Sequence, residues 1–301
     1  MRRFWLGIAA ASALSACGGG NPFTTGTDDP DDVTGTIPEA VANDLDSVSY
    51  NPASQTLTVT GVSLDETPFS ATYVRKPSLD RNGYEAYTVQ DSSLDRHSTA
   101  YAREIEGGYA VVVATGGQFG YYFAGANYGR SGAYSAPVTD QPSGGLVSYA
   151  GSYVGLLNTA GSGEDLLPVT PGTPTDVLPS QAAEITGDVL VNADFTDNVV
   201  NGLIYNRAVR DDGSVSPTNL ELAPTAIASD GTFSGSATIG QQSVGEYGGV
   251  FSGTNAASVA GGVHATGHIT EYGSDIEEYG VFVLGQCGGA SSDPLCDQPT
   301  P

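Results

Sequence analysis

Positive charge is the scarcest feature of this 301-residue chain: ten Lys and Arg stand against 34 Asp and Glu, a formal net charge of −24. Lys76 is the sole lysine, and the chain has one methionine, one tryptophan and three histidines. A surface this acidic repels phosphate backbones and bare anionic membranes, which excludes nucleic acid as a partner. Catalytic signatures are missing too. There is no G-x-S-x-G elbow and no S-x-x-K, and Gly248-x₄-Gly253 runs into Thr254 without the lysine of a phosphate loop. The three cysteines contain no C-x₂-C pair. No apolar run approaches the roughly 20 residues of a spanning helix. What the chain has in quantity is glycine, 41 residues, and tyrosine, 16 residues, as in exported β-rich proteins.

The first seventeen residues read MRRFWLGIAAASALSAC. A basic start, a short apolar middle and small residues before a cysteine form a secretory signal. Leu14-Ser15-Ala16-Cys17 resembles the bacterial lipobox. That resemblance implies cleavage after residue 16, acylation of Cys17, and outer-membrane lipid as the anchor's partner; Gly18 in place of aspartate implies the outer rather than the inner membrane. One acyl chain holds a protein marginally and several hold it stably. Removal of residues 1–16 takes Arg2 and Arg3, leaving eight basic residues against 34 acidic ones. With Cys17 lipidated, Cys287 and Cys296 remain, and an even remainder in an oxidising compartment reads as one disulfide.

Residues 17–40 are Gly, Thr, Pro and Asp with few apolar positions, a tether unable to bury a core and reaching about 25 Å as a coil. Its DDPDD cluster lacks the spacing that wraps calcium. Residues 41–140 form a β-rich, handle-like region with strands over 47–50, 55–62, 70–75, 84–89, 98–106, 108–115 and 120–124. Six of the eight remaining basic residues, Arg75, Lys76, Arg81, Arg96, Arg103 and Arg130, lie here and read as ordinary surface balance. A joint at 137–145 leads into a barrel over 141–287, followed by a tail, 288–301. The barrel has eight strands: 146–157, 184–195, 199–209, 220–228, 232–239, 247–252, 259–269 and 279–284. Alternation places Val189, Val191, Ala193 and Phe195 on one face, and Leu203, Tyr205 and Val209 on another. A long loop, 158–181, is a candidate binding element. The fold class is therefore all-β, a handle-like domain before an eight-stranded antiparallel barrel, because closure removes exposed edges.

The barrel strands carry ordered motifs: Tyr149-x-Gly151-x-Tyr153, Asp194-Phe195 through Gly202-Leu-Ile204, Gly231-x-Phe233-x-Gly235-x-Ala237-Thr238, Gly249-x-Phe251-x-Gly253-x-x-Ala256 through Gly261, and Val281-Phe282 through Gln286. In this order they resemble the C-terminal barrel of the surface lipoproteins related to transferrin-binding protein B. Tyr153 stands where that family has tryptophan, and the chain has room for one lobe. The resemblance implies surface display and a binding scaffold, with no cofactor and no enzymatic activity. Its expected partners are an unknown protein or solute, an iron source among them, and an outer-membrane transporter that receives it. Transferrin itself does not carry over. Alternatives are an adhesive envelope lipoprotein and a barrel enclosing a small hydrophobic ligand.

The remaining titratable groups read as structural. His264 and His268, four apart on one strand, share a face but stand about 13 Å apart at ~3.3 Å per residue. Glu277 and Glu278, with Glu271 and Asp275, read as a solvated hairpin tip rather than an acid–base pair. No residue is assigned a catalytic or metal role.

Overall fold

The structure, a computed structural model, describes residues 37–298 apart from 52, 63–67, 119, 139–144, 211–212 and 214. The signal segment, Cys17, most of the tether and most of the expected joint lie outside the described residues. After a single turn of helix, Glu39–Ala42, seven strands follow in a meander: β1 Leu45–Asn51, β2 Thr56–Val62, β3 Pro68–Arg75, β4 Glu85–Val89, β5 Ser98–Ile105, β6 Gly108–Thr115 and β7 Ala124–Arg130. Eight more close into a barrel: β8 Leu146–Ala160, β9 Ala182–Asp194, β10 Val199–Val209, β11 Leu220–Ala226, β12 Thr232–Ile239, β13 Gln242–Ser252, β14 Ser258–Thr266 and β15 Glu277–Gln286. All pairs are antiparallel, and β8 seals the barrel by pairing with both β9 and β15.

Local chemistry sets the hairpins. Asn82 and Gly83, at φ 47° and 86°, turn the chain before β4, and Glu106 and Gly107, at 50° and 80°, join β5 to β6. Two successive left-handed residues give the turn whose twist matches paired strands. The seventh strand begins where the sequence reading ended it: the expected 120–124 is a turn closed between Gln118 and Tyr121, and pairing with β6 starts at Ala124.

The first sheet curls until its ends meet. Ala124 N–H donates to Asp44 Oδ2 (3.0 Å), and Asp44 N–H donates to Ala124 O (3.2 Å). Its inner face buries Leu45, Val59, Tyr73, Tyr87, Val111 and Val113. Its outer face lays Ala110, Val112, Ala126 and Tyr128 on Val154, Val250, Ala260, Val281 and Val283 of the barrel wall. Strand β6 is therefore buried along its whole length, which is why it reads GYAVVVAT without polar alternation.

The barrel interior is packed with Tyr149, Tyr153, Phe195, Phe233, Tyr247, Phe251 and Phe282. Phe251 is the hub, its ring centroid 5.0–5.5 Å from those of Phe195, Phe233 and Tyr149. The glycines expected as architecture sit around it. Gly248 faces Gly262, and Gly249 faces Gly261, across β13 and β14. A Cβ on Gly249 would lie 2.3 Å from Phe233 Cζ, one on Gly261 2.4 Å from Phe282 Cζ, and one on Gly248 2.1 Å from Tyr128 Oη of the first sheet. The wall is thin because aromatic rings press on it from both sides. Gly253, at φ 75°, and Ala256, at φ 51°, shape the β13–β14 turn, and the Tyr149 hydroxyl donates to Ala256 O from inside (2.7 Å).

Two expectations about faces are corrected. On β10 the buried residues are Val200, Ile204, Arg207 and Val209, while Leu203 and Tyr205 are half-buried. A register shift between Tyr205 and Ala208, with Asn206 at φ 49°, breaks the period of two. The basic residues of the first sheet are not simple surface balance either. Arg81 and Arg130 are buried. Arg130 donates to Phe251 O (3.2 Å), and Arg103 lies 5.3 Å over the Tyr84 ring.

One tyrosine of the first sheet completes the barrel's own ladder. Pairing between β8 and β15 lapses after Phe282↔Tyr153 and resumes at Gly285↔Ala150. In the gap, Val283 N–H donates to Tyr84 Oη (3.0 Å), and the Tyr84 hydroxyl donates to Ser152 O (3.0 Å). Tyr84→Phe is expected to leave both main-chain groups buried and unpaired, at a cost of about 1–3 kcal/mol, read from urea unfolding curves.

Candidate binding cavity and neighbouring polar clusters

Three polar clusters and one apolar cavity hold the chemistry of the described residues. The first cluster closes one end of the barrel interior. Arg207 from β10 forms an ion pair with Glu278 from β15, both side chains 0 % exposed. His268 Nε2 lies 2.9 Å from Glu278 Oε2, and the Tyr153 hydroxyl donates to Glu278 Oε1 (2.6 Å). Burial alone would raise the Glu278 carboxyl; the Arg207 charge and the bonds from His268 and Tyr153 outweigh it and hold the group at about 2. Burial pushes the Tyr153 hydroxyl far up.

This overturns the reading of Glu278 as a hairpin tip. Strand β15 begins two residues earlier than the apolar pattern suggests, so Glu278 shares the inward face with Phe282 and Leu284, while Glu277 points out and receives the Tyr279 hydroxyl (2.6 Å). The two histidines do not share a face. His264 stacks on Tyr279 outside the barrel (centroids 4.6 Å apart). The strand ends at Thr266, and Gly267 at φ 61° turns the chain so that His268 enters the barrel end. Among the described residues no group of three His, Cys, Asp or Glu could hold a metal ion.

The second cluster joins sheet to barrel. Arg81 Nε donates to Glu184 Oε2 (2.6 Å), with the side chains 7 % and 4 % exposed, and Glu164 bridges Arg81 and Arg210 at 3.3 and 3.1 Å. The third cluster is the loop between β8 and β9. This candidate binding element is strapped to the first sheet: Asp165 pairs with Lys76 and lies 3.1 Å from His97 Nε2. Leu167 N–H donates to Gln90 Oε1 (2.8 Å), and Gln118 donates to Val177 O (2.9 Å). Burial lowers the His97 imidazole, against the opposing pull of Asp165. Burial would raise Asp165, but bonds from Lys76, Thr88 and His97 keep it below the usual carboxylate range. The loop thus braces residues 88–97 from outside. At the opposite end of β8, Cys287 and Cys296 form a disulfide that holds the tail, with Cys287 N–H donating to Ser148 O (2.9 Å).

The cavity lies inside the curl of the first sheet, at the end where β4 stops. Its volume is about 220 Å³ and its body is apolar: Phe69 and Ala71 from β3, Val89 from β4, and Phe123. The Phe69 and Phe123 rings are 4.8 Å apart. Asp91 and Asp95, both exposed, and Arg96 surround the mouth. Ser98, whose hydroxyl is 2.7 Å from Tyr73 Oη, and Thr115 add buried polar atoms to the wall. Sequence reasoning missed this site because its residues come from four strands and carry no motif. A second, more polar cleft of about 270 Å³ lies between Tyr128 and the β11–β12 hairpin.

Of the residues singled out in the sequence, Gly249, Phe251, Gly253, Ala256 and Gly261 all belong to the barrel wall and its turn, away from the cavity. Among the described residues no helix is long and apolar enough to cross a membrane. No family model matches the chain, and no curated protein matches it. Among solved structures it is similar to a double mutant of transferrin-binding protein B from Haemophilus parasuis Hp5, at 12 % identity and TM-score 0.38, over 80 % of this chain and 53 % of that one. It is similar to intact Ap-TbpB with N and C lobes at 12 % identity and TM-score 0.37, over 81 % and 55 %. For the isotype 1 transferrin-binding protein B of serogroup B Neisseria meningitidis the values are 14 % and 0.34, over 81 % and 52 %. The chain spans about half the length of these solved relatives.

Proposed function

We propose that this chain is a lipid-anchored binding protein of an outer membrane, with the barrel as its pedestal and the open end of the first sheet as its capturing surface. The observation that carries the reading is a contrast within the fold. The barrel is filled by aromatic side chains, whereas the first sheet keeps an apolar cavity of about 220 Å³ beside a charged mouth. An apolar pocket with a few convergent polar groups is the usual form of a binding site. Arg81, Tyr84 and the β8–β9 loop tie the sheet to the barrel, so the cavity is presented on a stiff base. Cys17 is the anchor in this reading, and the acidic tether gives reach from the membrane. The captured species is a macromolecule or a solute, an iron source included, passed to an outer-membrane transporter. The buried carboxylates are already engaged by arginine, which favours binding over acid–base catalysis. The packed barrel interior gives no support to a ligand enclosed there.

Two substitutions test the reading in cells that make the full chain. Cys17→Ser is expected to move the protein from the membrane to the soluble fraction. Ala71→Trp fills the cavity and is expected to abolish capture from the natural medium while circular dichroism and melting stay close to those of the parent. Unchanged membrane retention would remove the anchor, and unchanged capture by the Ala71→Trp chain would remove the cavity.

A further inference from the structure

Strand β3 is paired very unequally on its two sides. Seven residue pairs join it to β2, from Thr56↔Val74 to Val62↔Pro68. Toward β4 it has two, Val74↔Thr88 and Arg75↔Tyr87, because β4 ends at Val89 and the chain turns away. The direction of the free groups follows from the ends of the ladder. Arg75 N–H donates to Gln55 O on the β2 side, and Lys76 N–H donates to Ala86 O on the β4 side. Main-chain groups alternate sides along a strand, so those of Ser70 and Thr72 point into the notch between β3 and residues 90–97. The apolar cavity opens into the same notch, since Phe69 and Ala71 line it from β3 while Val89, Asp91, Asp95 and Arg96 line it from the other bank.

We infer that this notch is a strand-addition site, in which an extended polypeptide segment of the captured partner pairs with Ser70 and Thr72 and places one large apolar side chain in the cavity. The inference rests on the capture reading and names the chemistry of its ligand. Only another extended backbone supplies alternating N–H and C=O groups at the spacing β3 presents, and added strands gain affinity from that ladder and specificity from pockets for alternate side chains. Among the described residues no strand pairs with β3 on this side from Pro68 to Tyr73, a stretch about 20 Å long at ~3.4 Å per residue, room for roughly six residues. Natural proteins cover or charge such an edge unless it is used; here the side chains next to it, Phe69, Ala71 and Tyr73, are apolar and at least half-buried. Charge sets the flanks. At the mouth Asp91 and Asp95 outnumber Arg96, none of the three forms an ion pair among the described residues, and acidic groups outnumber basic ones 34 to ten over the chain, so the segment carries lysine or arginine beside its apolar anchor.

The test uses the full chain and a displayed library of random twelve-residue peptides. Enrichment is compared between the parent and Thr72→Pro. Proline there removes a donor that faces the notch and leaves the β2 ladder intact, as edge positions tolerate. Peptides enriched on the parent should carry an aromatic or large aliphatic residue next to a basic one. Each is remade with N-methyl groups on alternate residues, in both phases, and one phase should bind at least tenfold more weakly by fluorescence anisotropy. Ala71→Trp should weaken the unmethylated peptides by a similar factor. The inference is overturned if no peptide separates the parent from Thr72→Pro, or if both methylated phases bind as well as the unmodified peptide. Capture of a partner that Thr72→Pro leaves intact removes the strand-addition site and spares the capture reading. Peptide binding at the notch without any partner from the natural medium does the reverse.

Discussion

Glu278→Ala is expected to lower the stability of the chain by about 3–5 kcal/mol, since it leaves the Arg207 guanidinium uncompensated in the barrel interior. Both side chains are fully buried, so solvent cannot screen the loss. The Tyr153 hydroxyl and His268 lose a partner in the same step. Urea unfolding at neutral pH measures the effect. Replacing both members, Arg207→Met with Glu278→Leu, should recover most of it, because a buried pair exchanged for apolar side chains is often neutral. A double mutant no more stable than Glu278→Ala would mean that the network is needed for more than charge balance. The pH dependence follows from the same group. Its carboxyl sits at about 2 in the folded chain against an ordinary 4.5, so the unfolded chain binds the proton first. The contribution is full above about pH 5 and is lost as pH falls from about 4.5 toward 2, a change of about 3 kcal/mol. Glu278→Gln should flatten that part of the acid unfolding curve.

Arg81→Ala is expected to cost about 2–4 kcal/mol and to loosen the first sheet from the barrel. Glu184 is 4 % exposed and its remaining arginine is Arg210, whose Nε is 3.7 Å away, and a buried carboxylate with a weakened partner is expensive. Hydrogen exchange should then quicken in β4 and β5 before the barrel strands respond. Uniform acceleration across both sheets would show that the pair stabilises the fold as a whole without fixing the joint.

Most of the strand plan was legible from alternation and turn residues, and the failures have definite causes. The apolar stretch 279–284 is easy to see, but extending its parity back to Glu278 requires knowing that the strand does not stop at the first charged residue. A carboxylate on the inward face has no apolar signature; the available signal was its phase with Phe282 and Leu284. Arg207 was harder, because the shift near Asn206 moves the inward phase of β10 by one residue and no local pattern announces it. His264 and His268 were placed together by a spacing rule that Gly267 cancels. The glycines of the β13–β14 pair were recognised as architecture, although their reason, rings pressing from both sides of the wall, is visible only with Phe233, Phe282 and Tyr128 in place. The cavity was invisible in sequence because Phe69, Val89 and Phe123 become neighbours only when the sheet curls and β4 ends early.

Binding at the open end of the first sheet, as proposed, is tested most directly by hydrogen exchange of the full chain with and without a partner captured from the natural medium. Protection is expected in Pro68–Arg75 and in residues 90–98, with β10, β11 and β12 unchanged. Protection confined to the barrel strands β10 to β12, with Pro68–Arg75 exchanging as in the free protein, would contradict it.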